Sequence, residues 1–116
     1  MGSADVLDVI ARFNAAFDAH DVDAVMELMT DDCVFETTDP APDGVRHEGA
    51  QAVRAAWELF FASTPTTTFT VEDAFGAGDR AVQRWRFDWG RGHVRGVDVF
   101  RVRDGRVAEK LSYVKG

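Results

Sequence analysis

The sequence predicts an α+β fold in which three helices precede a curved antiparallel sheet around an apolar pocket. In the first half of the chain apolar residues recur every three or four positions, and after Pro65 this period changes to two. Four long strand candidates then follow one another, separated by turns that contain glycine. A run of helices followed by a run of strands is typical of α+β domains, because parallel sheets need helices and strands to alternate.

The three helix candidates come first. Residues 4–19 place their apolar side chains on one stripe, and Ser3 is the expected N-cap. The pattern restarts over residues 20–30, where Asp21 can cap a shorter helix that the next two aspartates end. A third amphipathic helix is predicted over residues 51–62, and it stops near the Ser-Thr-Pro segment that follows.

The strand candidates begin with a short one over residues 33–37. The Pro- and Gly-rich segment after it is predicted to be a loop at the pocket rim, since these residues break regular ladders. Alternating patterns then predict long strands over residues 66–75, 81–89, 93–103 and 106–114. The order of these elements predicts a meander.

Composition limits the function classes. The chain has 116 residues, 46% hydrophobic and 28% charged, which suits a single domain over residues 1–116. Its net charge of −7 argues against nucleic acid and anionic membranes as partners. The lone Cys33 is expected to be a buried filler, and neither a metal-ligand spacing nor a cofactor motif is present. Without a signal or membrane-spanning pattern, a cytoplasmic location is expected.

Alternation along the second long strand, together with the turn after it, predicts where an acidic side chain of the next strand lies. Its odd positions, 83 to 89, are mostly large and apolar and are expected to face the core. If residues 90–91 are the centre of a hairpin turn, Trp85 lies opposite Gly96 and Gln83 lies opposite Asp98. Asp98 is therefore predicted to lie on the buried face of the sheet.

The last hairpin has two possible registers. A two-residue turn at residues 104–105 would set Asp98 beside Leu111, whereas a three-residue loop with a bulge would set it beside Lys110. In the second register several apolar residues share the outer face of the sheet, and such an exposed patch points to a homodimer formed through that face. These residues are Val97, Val99, Leu111 and Tyr113.

A buried Asp98 is the most informative feature of the sequence. Burying an unpaired carboxylate is costly, so the group is either neutral or paired, with Gln83 and Lys110 as candidate partners. Two interpretations stay open. Asp98 is either an acid or base in a pocket, or a structural residue tied to its neighbours.

Longer segments of the chain resemble a known superfamily. They are Ala15–Asp21, Met29–Phe35, Gly49 before the third helix, and Gly96–Val107. In this order and spacing they resemble the nuclear transport factor 2-like superfamily, specifically its SnoaL-like and ketosteroid-isomerase-like branch, over essentially the whole chain. The resemblance implies three helices packed on a strongly curved, mixed and mainly antiparallel sheet that forms a cone with an apolar pocket, the cystatin-like α+β barrel.

The resemblance also implies roles for individual residues. Asp98 matches the strand aspartate that acts as an acid or base in SnoaL-like cyclases and as an oxyanion-hole donor in ketosteroid isomerases. The general base of those isomerases falls at Thr37 and their oxyanion tyrosine falls at Phe13, which argues against steroid isomerisation by that mechanism. The last-strand aspartate of limonene-epoxide-hydrolase-like members falls at Ser112, so epoxide hydrolysis is not supported.

Two functions remain. The first is a cofactor-independent isomerase- or cyclase-type enzyme that shifts a proton on an apolar or aromatic carbonyl compound with Asp98, helped by Lys110 and Ser112. The second is a catalytically silent module that binds a small apolar ligand or dimerises. His47 is expected near the pocket mouth. The expected ligand-contacting residues are Phe13, Phe17, Val34, Trp57, Phe61, Gln83, Trp85, Phe87, Gly96 and Phe100.

Overall fold

The computed structural model describes the backbone of residues 3–64 and 66–116, and the side chains from residue 5 onward apart from residue 65. This part of the chain forms three helices and six strands. The helices are α1 (Ser3–Asp18), α2 (Val22–Glu27) and α3 (Ala50–Ser63). The strands are β1 (Met29–Glu36), β2 (Arg46–Glu48), β3 (Thr68–Ala77), β4 (Arg80–Asp88), β5 (His93–Arg103) and β6 (Arg106–Val114).

The strands form one mixed sheet in the order β2-β1-β6-β5-β4-β3. β1 runs parallel to β6, and every other neighbouring pair is antiparallel. The predicted α+β class is confirmed. The described sheet does not close into a barrel, because β2 and β3 are its two edges and do not pair with each other. A ladder between them would be needed for closure, and the three-residue β2 is too short to supply a substantial one.

The core lies between the helices and the inner face of the sheet. The Phe13 ring of α1 makes edge contacts with Trp57 of α3 at 5.9 Å and with Phe100 of β5 at 6.0 Å between ring centroids. Phe35 of β1 stacks on Trp57 with 4.2 Å between ring centroids. These aromatic contacts fix α1 and α3 against the sheet. None of the described helices is long and apolar enough to cross a membrane.

The helix ends differ in part from expectation. Asp21 caps α2 as predicted, since its carboxylate accepts a hydrogen bond from the backbone N–H of Ala24 at 3.1 Å. The helix ends at Glu27, however, and Asp31 and Asp32 lie in β1 instead of ending α2. They are accommodated as exposed strand residues, and Asp32 pairs with Arg103. α3 ends at Ser63, within the predicted Ser-Thr-Pro segment. The predicted cap at Ser3 depends on a side chain outside the described residues.

The register of the β4–β5 hairpin is confirmed, with Gln83 opposite Asp98 and Trp85 opposite Gly96. The β5–β6 hairpin follows neither predicted register, because Asp98 lies opposite Ser112. The turn at residues 104–105 is the tight form, in which both central residues have positive φ (54° and 75°).

An extra residue then enters β6, since Val102 pairs with Val107 but Arg101 pairs with Glu109. Ala108 occupies the resulting bulge, and its side chain and that of Val107 are both buried. The bulge therefore places the β6 side chains on the same faces of the sheet as the predicted three-residue loop would have. Leu111 and Tyr113 therefore face outward, and the alternate residues of β6 face Asp98.

Cys33 is fully buried on β1, as expected, and burial raises the pKa of its thiol. We therefore predict that Ellman's reagent modifies Cys33 in the native protein more than about 100-fold more slowly than in the urea-unfolded protein, because the reaction requires local opening. Native absorbance traces that match the unfolded ones would contradict this burial.

Candidate functional site

Asp98 is the centre of a buried polar network. Its side chain is 1% exposed on the inner face of β5. Oδ2 accepts a hydrogen bond from Gln83 Nε2 at 2.9 Å, while Oδ1 accepts from Ser112 Oγ at 2.7 Å and from Lys110 Nζ at 3.3 Å. The sequence left Asp98 either neutral or paired, and the geometry corresponds to the paired state.

Lys110 supplies the positive charge of this network. Its side chain is 10% exposed, and Nζ also donates to Ser112 Oγ at 3.0 Å. Nζ lies 5.0 Å from the ring centroid of Phe35 and 5.4 Å from that of Trp57, within the range of a cation–π interaction. Lys110 and Ser112 are two residues apart on β6, so strand alternation presents both to Asp98.

A second layer of amides lies behind Asp98. Asn14 Nδ2 donates to Gln83 Oε1 at 2.7 Å, and Gln83 Nε2 donates back to Asn14 Oδ1 at 3.2 Å. Gln83 is fully buried, and Asn14 is partly buried on α1. The network therefore runs from β6 through β5 and β4 to the first helix.

A cavity of about 680 Å³ opens beside the network, between α3, the inner sheet face and the segment after β1. The exposed side chains on its wall, Val45, Leu59 and Trp89, mark the mouth, and the buried Asp98 with Lys110 marks the closed end. The wall is mainly aromatic and aliphatic. It is formed by Phe17, Phe35, Thr37, Thr38, Asp39, Val45, His47, Ala56, Trp57, Leu59, Phe60, Ser63, Phe69, Trp85, Phe87, Trp89, Val94, Asp98, Lys110 and Ser112.

The structure brings some of the predicted ligand-contacting residues to this wall and not others. Those on the wall are Phe17, Trp57, Trp85 and Phe87, together with Asp98, Lys110 and Ser112. The side chains of Phe13, Phe61 and Phe100 belong to the core cluster instead. Val34 is only partly buried between the buried Cys33 and Phe35, as strand alternation requires, and it lies off the wall.

Gln83 and Gly96 act behind the wall. Gln83 contacts Asp98 without lining the cavity, and Gly96 lies under the Trp85 ring, where an added Cβ would come within 2.6 Å of Cζ2.

Trp89 was expected to face the core with the other odd residues of β4. It is 46% exposed at the mouth because the strand ends at Asp88.

Sequence reasoning missed Asn14 and several residues of the mouth. Asn14 lies on the apolar stripe of α1, four residues after Ile10 and three before Phe17, so a polar residue in that stripe was the available signal. The mouth residues come from the irregular segment between β1 and β2 and from α3, where periodicity does not predict which side chains meet. They include Thr37, Thr38, Val45, Leu59 and Ser63.

A second depression of about 470 Å³ lies at the end of the sheet and is lined by Thr30, Asp31, Asp32, Arg103, Asp104 and Arg106. Hydrogen bonds from Arg103 and from Thr30 lower the pKa of Asp32 to about 2. These are exposed surface ion pairs, which do not indicate a ligand site. Among the described residues, no group of three or more His, Cys, Asp or Glu side chains could hold a metal ion.

Comparison with known proteins gives the following matches. The sequence model of a family described as "SnoaL-like domain" matches residues 10–110. Among proteins with curated descriptions, no significant match was found. The crystal structure of a nuclear transport factor 2-like protein of unknown function from Mesorhizobium loti is 46% identical, with a TM-score of 0.86 over 98% of this chain and 93% of that chain.

Two more distant structures carry names that suggest an activity. A candidate polyketide cyclase from Sinorhizobium meliloti is 22% identical, with a TM-score of 0.77 over 93% of this chain and 94% of that one. A candidate ketosteroid isomerase from Kribbella flavida is 15% identical, with a TM-score of 0.83 over 98% of this chain and 80% of that one. At these identities the two structures support the fold alone.

Proposed function

Because the chain belongs to the SnoaL-like domain family, we propose that it is a cofactor-independent enzyme that moves a proton on an uncharged apolar or aromatic carbonyl compound. The observation that carries this proposal is the meeting of a carboxylate, an ammonium and a hydroxyl at the closed end of an aromatic-walled cavity. The names of the two distant relatives, a cyclase and an isomerase, agree with this kind of chemistry.

Asp98 is the proposed base. A carboxylate has about four lone-pair positions, and the described contacts to Asp98 supply three donors, of which Oδ2 receives one. In the proposed step Asp98 takes a proton from the carbon next to the substrate carbonyl. The C–H electron pair forms the enolate double bond, and the carbonyl electrons move to oxygen. The C=O bond then re-forms and the Asp98 carboxyl returns the proton, to the same carbon in a simple ketone. In a β,γ-unsaturated ketone the Cβ=Cγ electron pair takes the proton at the γ-carbon and a Cα=Cβ double bond is left.

Lys110 and Ser112 are the proposed stabilisers of the enolate oxygen. Both carry hydrogens at the closed end of the cavity, and a positioned donor is most effective where negative charge develops away from water. Before the reaction the Asp98 and Lys110 charges balance, so the closed end favours an uncharged carbonyl group. The aromatic wall excludes water from the reacting atoms.

The test is deuterium exchange at the carbon next to the carbonyl of uncharged aryl ketones, beginning with 1-tetralone, followed by proton NMR in D₂O. We expect the wild type to accelerate exchange, and Asp98→Asn to lower the enzymatic rate by on the order of 10²–10⁴-fold, the usual contribution of a general base. Asp73→Asn is the matched control, because Asp73 is 54% exposed on β3. Equal rates for wild type and Asp98→Asn would contradict the proposed role of Asp98.

One observation favours the alternative, a silent ligand-binding module. Both carboxylate oxygens of Asp98 already accept hydrogen bonds from side chains, as a structural aspartate would. Under this alternative the ketones would bind, and would change the fluorescence of Trp57, Trp85 and Trp89 on the wall, without any exchange. The same samples therefore separate the two functions.

We also propose that the outer face of the sheet forms a homodimer. A row of apolar residues crosses four strands, with Phe75 opposite Val82, Val82 opposite Val99 and Val99 opposite Leu111. Tyr113 on the same face is 51% exposed. A contiguous apolar strip on one face, with helices on the other, suits a self-complementary two-fold interface.

Light scattering after size exclusion tests this interface. The wild type is expected to be a dimer at micromolar concentration, and Val99→Asp a folded monomer, because the new carboxylate would be buried against its symmetry mate. Leu59→Asp is the control, since Leu59 is 72% exposed on α3, at the cavity mouth. A monomeric wild type would contradict the interface.

A further inference from the structure

Asn14 and Gln83 hold each other through two reciprocal amide hydrogen bonds, and Gln83 directs its remaining N–H to Asp98. The three distances are 2.7, 3.2 and 2.9 Å. The first bond joins residues 69 positions apart, from α1 to β4. The proposed reaction uses neither amide directly.

A pair of amides can exchange its donor and acceptor sides without a change of shape, whereas an ionised carboxylate has no donor to exchange. Each carboxamide offers N–H groups on one side and a carbonyl oxygen on the other, and the two orientations have nearly the same shape. If both amides invert together, the two reciprocal bonds are formed again with donors and acceptors exchanged. Gln83 then presents Oε1, an acceptor, to Asp98 in place of Nε2.

The inverted state suits a protonated Asp98. An ionised carboxylate only accepts hydrogen bonds, whereas the protonated form has one O–H to donate. With the pair fixed in the observed orientation, a proton on Oδ2 of Asp98 would face the N–H of Gln83, and two donors would meet in a buried site, which is costly. Lys110 is the charged group in contact with Asp98, and His47 and Asp39 are further titratable groups on the same cavity wall.

We propose that Asn14 and Gln83 form an invertible amide pair that serves Asp98 in both protonation states. Asn14 is then a positioning residue, because it acts on Asp98 only through Gln83. The role of the pair in turnover rests on the proposed proton transfer, while its inversion is a property of the resting protein. A base that must also return its proton needs a partner of this kind.

Asp98→Asn tests the inversion directly. The donors Lys110 and Ser112 hold the carbonyl oxygen of the new amide at the Oδ1 position, so its N–H₂ faces Gln83, as the O–H of a protonated carboxyl would. Scalar couplings across hydrogen bonds, measured on ¹⁵N,¹³C-labelled protein, identify the donor. In the wild type we expect a coupling from Gln83 Nε2 to the side-chain carbonyl carbon at position 98. In Asp98→Asn we expect it from the new side-chain nitrogen to Gln83 Cδ.

The opposite results would overturn the proposal. One such result is a coupling from Gln83 Nε2 to position 98 that persists in Asp98→Asn. Another is the loss of the couplings between Asn14 and Gln83. Either would show that the pair does not invert as a unit. If Asp98→Asn fails to fold because Lys110 is left unpaired, the double variant Asp98→Asn with Lys110→Met removes that charge. The same couplings are then read on the double variant.

Asn14→Ala tests the positioning role. We expect it to lower kcat for ketone exchange about tenfold or more with KM nearly unchanged, since misplacing a reacting group by 1 Å can cost on the order of 10²-fold. Arg12→Ala is the matched truncation on α1, where it removes only an exposed pair with Asp8. An Asn14→Ala rate equal to that of Arg12→Ala would overturn the role in turnover. Inverted couplings without any ketone exchange would count against the proposed function alone, because the NMR readout needs no turnover.

Discussion

Replacing Gly96 by alanine is expected to destabilise the protein by about 3 kcal/mol or more, at the upper end of the usual cost of overpacking. An added Cβ would lie 2.2 Å from the backbone oxygen of Tyr113 and 2.6 Å from Cζ2 of Trp85. The Trp85 ring can turn away, but the Tyr113 carbonyl belongs to the paired strand β6. Relief therefore requires the β5–β6 ladder to separate.

Urea unfolding followed by circular dichroism measures this effect, and Gly92→Ala is the control. The nearest neighbours of a Cβ at Gly92 are side-chain atoms of the half-exposed Trp89, at 3.1 Å or more, and these can move. We expect the control to stay within about 0.5 kcal/mol of the wild type, as surface substitutions usually do. A Gly96→Ala free energy equally close to the wild type would contradict the close approach of the two strands.

Lys110→Met is expected to cost about 3–5 kcal/mol, the usual result of removing one member of a buried ion pair. Methionine fills a similar volume beside the stacked rings of Phe35 and Trp57, so the main loss is the ammonium 3.3 Å from Asp98 Oδ1. Asp98 has almost no exposed surface through which water could replace this partner. The carboxylate would keep only the neutral donors Gln83 and Ser112.

A double-mutant cycle separates charge from packing. Adding Asp98→Leu to Lys110→Met removes the unpaired charge, and we expect much of the lost stability to return, because apolar replacements of buried ion pairs are often neutral. Lys115→Met, at an exposed position just after β6, is the control for loss of a lysine. Thermal unfolding of the wild type, Lys110→Met, Asp98→Leu and the double variant gives the coupling energy. Additive effects of the two substitutions would show that the pair contributes little.

The sequence was sufficient to predict the α+β class and the position of Asp98. The β4–β5 register followed from one two-residue turn, because alternation along β4 left a single facing for Gln83 and Trp85. Whether the sheet closes was not predictable, because closure depends on the length of a strand, β2, that the sequence did not predict. The amide pair was missed because α1 meets β4 only through tertiary packing.

The β6 register was missed for a more local reason. Val107 and Ala108 are adjacent apolar residues, and a regular strand cannot bury two neighbours on one face. This break in alternation is visible in the sequence. The predicted three-residue loop places the bulge at the turn instead, with the same effect on which face each side chain occupies. The observed partner of Asp98, Ser112, depends on the bulge being inside the strand.

The bulge determines which side chains of β6 form the floor of the cavity. If Ala108 stayed in the chain but the ladder after the tight turn ran without a bulge, Leu111 would lie opposite Asp98, and every residue beyond it would change sides. Leucine and tyrosine would then close the cavity, and the lysine and serine would lie on the outside. The bulge thus decides, without any change of sequence, whether the cavity floor is polar or apolar and whether the outer strip stays apolar. Descendants of this chain can vary the cavity wall one residue at a time, but a one-residue change in length between residues 105 and 110 has to be matched by the gain or loss of a bulge.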